Sequence, residues 1–323
     1  MKTREKILDL LEARKGEYLS GADLASDLSI TRAAVWKAVT RLREDGYPIN
    51  AVPNKGYRFA EDTDFLTEQG VWKYLDPCCW MLDIHVLPEA GSTNELLRKK
   101  AEAGSSEGTV LIAGMQTDGK GRQGRRFYSP ANTGIYMSLL LRPVDPASSQ
   151  AVRLTAAAAV AGCEAIESVS GRAAQIKWVN DIFLDRKKVC GILTEGPVDP
   201  GSGSIAPVIV GIGINAYPPE GGFPKEIREI AGAIFSEPQN DGKNRLAAEF
   251  LNRFMGYYLH PEENDYVEKY KTRSMVIGNE ISVLSGNSVR KALALDIDAD
   301  CCLLVRYENG ETVRLAPCEI RIK

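Results

Sequence analysis

Between residues 117 and 130 the chain reads TDGKGRQGRRFYSP. Three glycines (Gly119, Gly121, Gly124) and four cations (Lys120, Arg122, Arg125, Arg126) fall within eight residues, directly ahead of Phe127 and Tyr128. Glycine lets a backbone approach a ligand closely and presents successive N–H groups. Lys and Arg add fixed positive charge suited to a phosphate or pyrophosphate. The spacing is neither the GxxxxGK[ST] of a Walker loop nor the GxGxxG that opens a helix after a strand. By composition alone the stretch fits a phosphate cradle and a solvated basic loop equally well.

Three other stretches carry polar groups at positions where chemistry can be done. EAGSTNELL (residues 89–97) sets Ser92, Thr93 and Asn94 at the start of a helical pattern, to orient a small polar ligand or to cap the helix. IKWVND (residues 176–181) ends an apolar strand in Asn180 and Asp181, oxygen donors that suit Mg²⁺ or an Asx turn. DRKKVCGIL (residues 185–193) puts Lys187 and Lys188 at a tight turn entering a strand, where a period of two sends one of them inward. The two histidines, His85 and His260, neighbour no glycine-flanked nucleophile, so Ser-His or Cys-His catalysis is poorly supported. Catalysis, if present, rests on Lys, Arg and backbone N–H groups. Seven cysteines, an odd number with no CxxC, read as reduced structural thiols rather than a zinc or disulfide framework.

The elements that must position these groups are legible in outline. At 323 residues the chain is long enough for two or three domains. No run approaches 18 apolar residues and the start is amphipathic, which predicts a cytoplasmic protein with no membrane segment. Ile7, Leu8, Leu10 and Leu11 share one face of a first helix that ends by Gly16. Ser20 caps a short second helix and Thr31 a third, closing at Gly46, with Val35, Val39 and Leu42 buried. The hairpin signal PNKG (residues 53–56) then joins two short strands. Helix, turn, helix and wing is a DNA-binding arrangement, with Thr31, Arg32, Lys37, Arg41 and Lys55 available to DNA. Eleven Lys/Arg against eight Asp/Glu give the first sixty residues +3 in a chain of net −3. A helical dimerisation or peptide-binding module with a solvated basic face is the alternative.

EDTDFLTEQG (residues 61–70) reads as a linker. Beyond it, strands VLIAGMQ, GIYMSLLLRP, AQIKWVNDIFLD, KVCGILTEG and APVIVGIGIN alternate with helices AVRLTAAAAVAGCEAIES and NRLAAEFLNRFMGYYL. Short strand connections predict a mixed, antiparallel-leaning α/β sheet. The last fifty residues carry four or five short strands with Asn, Gly and Asp turns, economically a small β-barrel.

Taken in order, STN at 92–94, GKGRQGRRFYSP at 119–130, KWVND at 177–181, KKVCGIL at 187–193 and GIGIN at 211–215 resemble the biotin–protein ligase family. The match is to its bifunctional members, which also repress biotin operons. The resemblance spans essentially the whole chain and implies an α+β fold of three domains. These are a winged helix (1–62), a class II synthetase-like biotin- and ATP-binding domain (66–274) and an SH3-like C-terminal domain (275–323). It implies ATP-dependent formation of biotinyl-5′-AMP with Mg²⁺, followed by transfer of biotin to a lysine of the biotin carboxyl carrier protein. Operator binding as an adenylate-loaded homodimer is implied as well.

By motif position, Ser92, Thr93, Asn94 and Gln116 contact biotin, and Lys120, Gly121 and Arg122 close over biotin and the adenylate phosphate. Lys188 matches the family's catalytic lysine, with Arg122 beside it. Asn180, Asp181 and Asn215 fall at nucleotide and Mg²⁺ positions, and Phe223 at an adenine-stacking one. Two positions depart from the pattern: Val179 replaces the proline of KWPND, and Lys120 replaces an arginine, so a bidentate fork becomes a point charge. A lipoate or octanoate ligase of the same fold and a non-catalytic biotin-sensing DNA-binding regulator are the rival expectations.

Overall fold

The computed structural model describes residues 3–143, 150–196, 207–261, 266–285, 288–316 and 321–322. They fall in two compact units, Met1–Leu75 with Pro238–Ala248, and Asp76–Glu237 with Glu249–Lys323.

The first unit opens with α1 (Thr3–Ala13), α2 (Gly21–Asp27) and α3 (Arg32–Glu44), followed by an antiparallel hairpin of β1 (Ile49–Val52) and β2 (Gly56–Phe59). Ser20 Oγ accepts from Asp23 N at 3.0 Å and Thr31 Oγ1 from Ala34 N at 3.2 Å, so both helices start at hydroxyl caps. Ile7, Leu8 and Leu11 of α1 meet Leu24, Val35, Val39 and Leu42 in one core closed by Phe59. Leu10 is only partly buried, and Glu12 takes the remaining buried position on α1. The hairpin turn needs φ of 66° at Asn54 and 105° at Gly56. A Cβ at Gly56 would lie 2.1 Å from Leu19 O, so only glycine fits there.

The stretch expected to be a linker ends instead in α4 (Glu68–Trp72), whose cap Thr67 also donates from its hydroxyl to Glu12 Oε1 at 2.9 Å. Beneath it Asp241 accepts from Lys15 at 2.6 Å, Lys73 at 3.1 Å and Tyr74 at 2.9 Å. The Lys15 and Asp241 side chains are 6% and 3% exposed. Burial alone would raise the Asp241 carboxyl; the three hydrogen bonds outweigh it and hold the group below its ordinary range.

In the second unit β3 (Asp83–Leu87), β4 (Thr109–Ala113), β5 (Gly134–Leu141), β6 (Gln175–Lys177), β7 (Asp181–Leu184), β8 (Lys187–Glu195) and β9 (Val208–Asn215) form one sheet. Its order is β3-β4-β5-β9-β8-β7-β6, and only β3–β4 is parallel. That parallel pair is the one joined by a helical crossover, α5 (Thr93–Glu102), while the short connections give antiparallel neighbours. The central strands β5 and β9 are buried almost throughout, which explains their unbroken apolar runs. The alanine-rich α6 (Gln150–Ser170) covers one face so closely that a Cβ at Gly162 would lie 2.6 Å from Ile182 Cδ1. The opposite face receives α5. Helices α7 (Gly242–Leu259) and α8 (Tyr266–Arg273) complete the α-helices among the described residues.

AQIKWVNDIFLD, expected as one strand, is two: β6 and β7 pair antiparallel around Trp178–Asn180, with Lys177 opposite Asp181. The Trp178–Val179 peptide within that turn is cis.

The chain ends in a five-stranded antiparallel sheet, ordered β13 (Thr312–Leu315), β12 (Leu303–Tyr307), β11 (Ser288–Ile297), β10 (Glu280–Ser285) and β14 (Arg321–Ile322). Gly286, Asn287 and the seventh cysteine, Cys318, lie outside the described residues. The six described cysteines are free thiols.

Asp241→Ala leaves the buried Lys15 ammonium with only the neutral acceptors Thr63 O and Asn240 Oδ1 and is expected to destabilise the protein by about 3–5 kcal/mol. Because the folded Asp241 pKa is depressed, its contribution is present above the unfolded value and lost as pH falls through the folded one. Urea midpoints measured from about pH 6 to about pH 3 should therefore fall more steeply for the wild type than for the variant. Parallel curves would contradict the assignment.

Candidate functional site

The α5-bearing face of the sheet is short of side chains at three places. Gly191 pairs with Gly213 across β8 and β9, and Gly211 pairs with Leu193 and Ser138. A Cβ at Gly211 would lie 2.1 Å from Asn94 Oδ1, and one at Gly213 would lie 2.5 Å from Phe127 Cε1. The glycines therefore let a helix terminus and an aromatic ring lie directly on the sheet. Between them is a cavity of about 220 Å³.

The STN cluster forms one wall. Ser92 caps α5, and its two neighbours are locked by a polar network. Gln116 Oε1 accepts from Thr93 N at 2.9 Å and Thr93 Oγ1 at 3.1 Å. The Ser138 hydroxyl lies 2.6 Å from Asn94 Oδ1 and 2.7 Å from Thr93 Oγ1. The Asn94 amide donates to Glu195 Oε2 at 2.7 Å. Capping and cavity lining, alternatives in the sequence, are both realised.

The glycine/arginine loop forms the second wall as a tight hairpin. Phe127 N donates to Gly119 O at 2.8 Å and Gly121 N to Arg125 O at 2.7 Å. Its tip needs the left-handed region at Gln123 (φ 57°) and Gly124 (φ 72°). Lys120 reaches Glu95 at 2.6 Å, and that hydrogen bond holds the Glu95 carboxyl below and the Lys120 ammonium above their ordinary ranges. Arg122 Nη1 donates to Asn180 Oδ1 at 3.2 Å.

The third wall carries Lys188, and its orientation follows from strand register. β7 and β8 are joined by Asp185 and Arg186, both at positive φ, as a two-residue hairpin requires. Ile182 pairs with Cys190 but Phe183 pairs with Lys188, so the register slips by a residue at Val189. Without the slip Lys188 would share the face of Cys190, under α6. With it, Lys188 shares the face of Asp181, and its ammonium lies 2.6 Å from Asp181 Oδ1. Lys187 points elsewhere and donates to Glu229 O at 2.7 Å. Cys190, fully buried beside this pair, has its thiol pushed well up by burial.

Of the expected residues, Ser92, Thr93, Asn94, Gln116, Lys120, Gly121, Arg122, Asn180, Asp181 and Lys188 all line this one cavity. Asn215 and Phe223 do not: the Asn215 amide donates to Gly232 O at 3.0 Å and holds the chain beyond β9. The expected Mg²⁺ donors do not fit a resident ion. Asn180 is engaged at both ends, by Arg122 and by donation to Ile192 O at 2.8 Å, and Asp181 is paired with Lys188. No group of three His, Cys, Asp or Glu side chains suited to a metal occurs among the described residues.

The sequence reading missed Phe127, which pins the loop to the sheet, and Ser138, which orders the STN cluster. Ser138, fully buried and the one small polar side chain in the run GIYMSLLL, was the available signal.

Residues 3–58 match a family model described as an HTH domain, and residues 88–215 one described as the biotin/lipoate A/B protein ligase family. The chain is 31% identical over 313 residues to the bifunctional ligase/repressor BirA of Bacillus spizizenii, covering 95% of each protein. It belongs to the bifunctional ligase/repressor family. The BirA of Escherichia coli is likewise 31% identical, across 94% of this chain and 92% of that one. Among solved structures, the Aquifex aeolicus biotin protein ligase in complex with biotin and ATP superposes with a TM-score of 0.62 at 27% identity. It covers 75% of this chain and 98% of its own. The matched ligase segment, 88–215, contains every wall of the cavity.

In the first unit Thr31 is spent as the α3 cap, and Arg32, Lys37 and Arg41 are exposed. Arg41 lies 3.3 Å from Glu44 and 3.5 Å from Asp45. Lys55 extends from the wing over the Tyr18 ring at 5.8 Å.

Gly211→Ala forces its Cβ against Asn94 and is expected to destabilise the protein by about 1–3 kcal/mol in urea unfolding. Gly256→Ala on α7, where a Cβ meets nothing within 4 Å, should be neutral or stabilising by up to about 1 kcal/mol. Equal effects at the two sites would contradict the close-approach argument.

Proposed function

We propose that this chain activates biotin with ATP to biotinyl-5′-AMP and pyrophosphate, then transfers biotin to a lysine ε-amine of the biotin carboxyl carrier protein. Loaded with the adenylate, it binds operator DNA as a homodimer and represses transcription. The observation that carries the ligase activity is the convergence of Lys188, Arg122 and Lys120 with the STN wall on one cavity, in a chain of this family.

In the first step a biotin carboxylate oxygen bonds to the α-phosphorus as the bond to pyrophosphate breaks. In the second, the carrier amine attacks the mixed anhydride and AMP leaves. Both steps develop negative charge on oxygen, and neither needs a histidine. Lys188 serves both: its ammonium bridges the carboxylate and the α-phosphate, held in the cavity by Asp181 until they arrive. Arg122 neutralises the phosphate from the loop side, and Lys120 and Gly121 close over it. Ser92, Thr93, Asn94 and Gln116 face biotin. Mg²⁺ enters as part of the MgATP substrate, and no step is routed through a resident ion. Asn180 and Asp181 then act through Arg122 and Lys188 rather than as metal ligands.

The finer assignments follow the family. The catalytic domain spans 66–274, the C-terminal sheet is the SH3-like domain of 275–323, and the winged helix of 1–62 presents α3 to DNA. The protein works in the cytoplasm. None of the described helices is long and apolar enough to cross a membrane.

Incubation with MgATP, biotin and a biotin carboxyl carrier domain should add one biotinyl group to the carrier by intact mass. Lipoate in place of biotin should add nothing. A carrier of unchanged mass would overturn the ligase assignment. For the repressor half, biotin and MgATP together should tighten binding to an operator duplex, and indifference to both would overturn it.

A further inference from the structure

Trp36 is 62% exposed in the second turn of α3, an unusual place for an indole with no packing role. It opens into a groove of about 720 Å³ between α3 and the wing. Arg32, Trp36, Thr40 and Arg43 recur at three- and four-residue steps along the groove side of α3, and Lys55 of the wing lies across from them. No Asp or Glu lines this groove among the described residues, so its charge complements a polyanion. Lys37 and Arg41, equally exposed, are not among its lining residues. The groove side of α3 is thus cationic at both ends, with Trp36 and Thr40 between.

An α-helix fits the major groove of B-DNA, and its N-terminal half meets base edges. The duplex keeps base faces stacked, so an indole inserted there cannot stack on them. Base edges on the groove floor offer it one apolar group, the C5-methyl of thymine. We propose that Trp36 is a specificity-determining residue that reads thymine methyl groups in each operator half-site, while Arg32, Arg43 and Lys55 hold the flanking phosphates. This rests on the DNA-binding half of the proposed function.

The test begins with duplexes enriched from a randomised pool by the full-length protein with biotin and MgATP. Each thymine of an enriched site is then replaced singly by deoxyuridine, which deletes only the methyl group. The wild type should lose roughly four-fold in affinity at one or more positions per half-site, the equivalent of one buried methylene-sized group. Trp36→Ala should bind more weakly overall but show no further loss at those positions, with Trp36→Phe between the two. Thermal melting by circular dichroism establishes that the variants are folded. The wild-type deoxyuridine series needs no variant and stands alone.

Three outcomes would overturn the proposal. Wild-type affinity could be indifferent to every deoxyuridine, which would assign Trp36 to the sugar-phosphate backbone. The methyl-dependent loss could persist unchanged in Trp36→Ala. The enriched half-sites could lack thymine. Failure to enrich any duplex would instead sink the DNA-binding reading beneath it.

Discussion

The Lys188 ammonium meets the Asp181 carboxylate at 2.6 Å because the β7–β8 hairpin slips by a residue between the Ile182–Cys190 and Phe183–Lys188 pairs. Side chains alternate faces along a strand, so such a slip moves a residue from one side of the sheet to the other. Here it takes a lysine from beneath α6, where an unpaired charge would be costly, to a half-exposed cavity with an acidic partner. The other polar walls have value only if that cation faces them. A loop of arginines without it would be a charged surface rather than a reaction site.

A second constraint follows from the first. The cavity must be narrow enough for groups on α5, on the loop and on β8 to act on one ligand. Glycines at 191, 211 and 213 provide this by subtraction, since each vacant Cβ position is filled by Asn94, Phe127 or Lys188 itself. The polar groups that remain are preorganised: Gln116, Ser138 and Glu195 fix the STN cluster before any ligand arrives. Fixed donors and cations aimed where charge develops are the principal means of catalysis for a site without a histidine. The nearby Cys190 is buried, and burial raises its thiol.

Much of this was legible in the sequence because the signals were local. Ser20 and Thr31 announce their helices by capping chemistry, and PNKG announces the wing. The cavity residues were legible as motifs, and ten of them lie on one cavity. What stayed hidden was relational. AQIKWVNDIFLD reads as one strand or as a strand ending in an Asx turn at Asn180–Asp181. Only the pairing of Lys177 with Asp181 shows that the chain folds back there into a second strand. Period-two counting could not choose between Lys187 and Lys188; the family resemblance chose Lys188, and the register with β7 supplies the physical reason. Glu61–Gly70 looks like a polar connector until Thr67 is seen to cap α4 and to donate to a buried Glu12. Asn215 sits in a glycine-rich motif beside the cavity, yet its amide faces the Gly232 carbonyl.

The central claim is that Lys188, placed by the register slip, carries the adenylation step. Its most direct test is the single-turnover rate of biotinyl-5′-AMP formation from biotin and MgATP by the wild type and by Lys188→Ala. Biotin binding, measured separately by calorimetry, shows that the variant's pocket is intact. The account predicts a rate lower by about 10²-fold or more, the scale of losing one charge-stabilising donor. A folded, biotin-binding Lys188→Ala that forms the adenylate at the wild-type rate would contradict it.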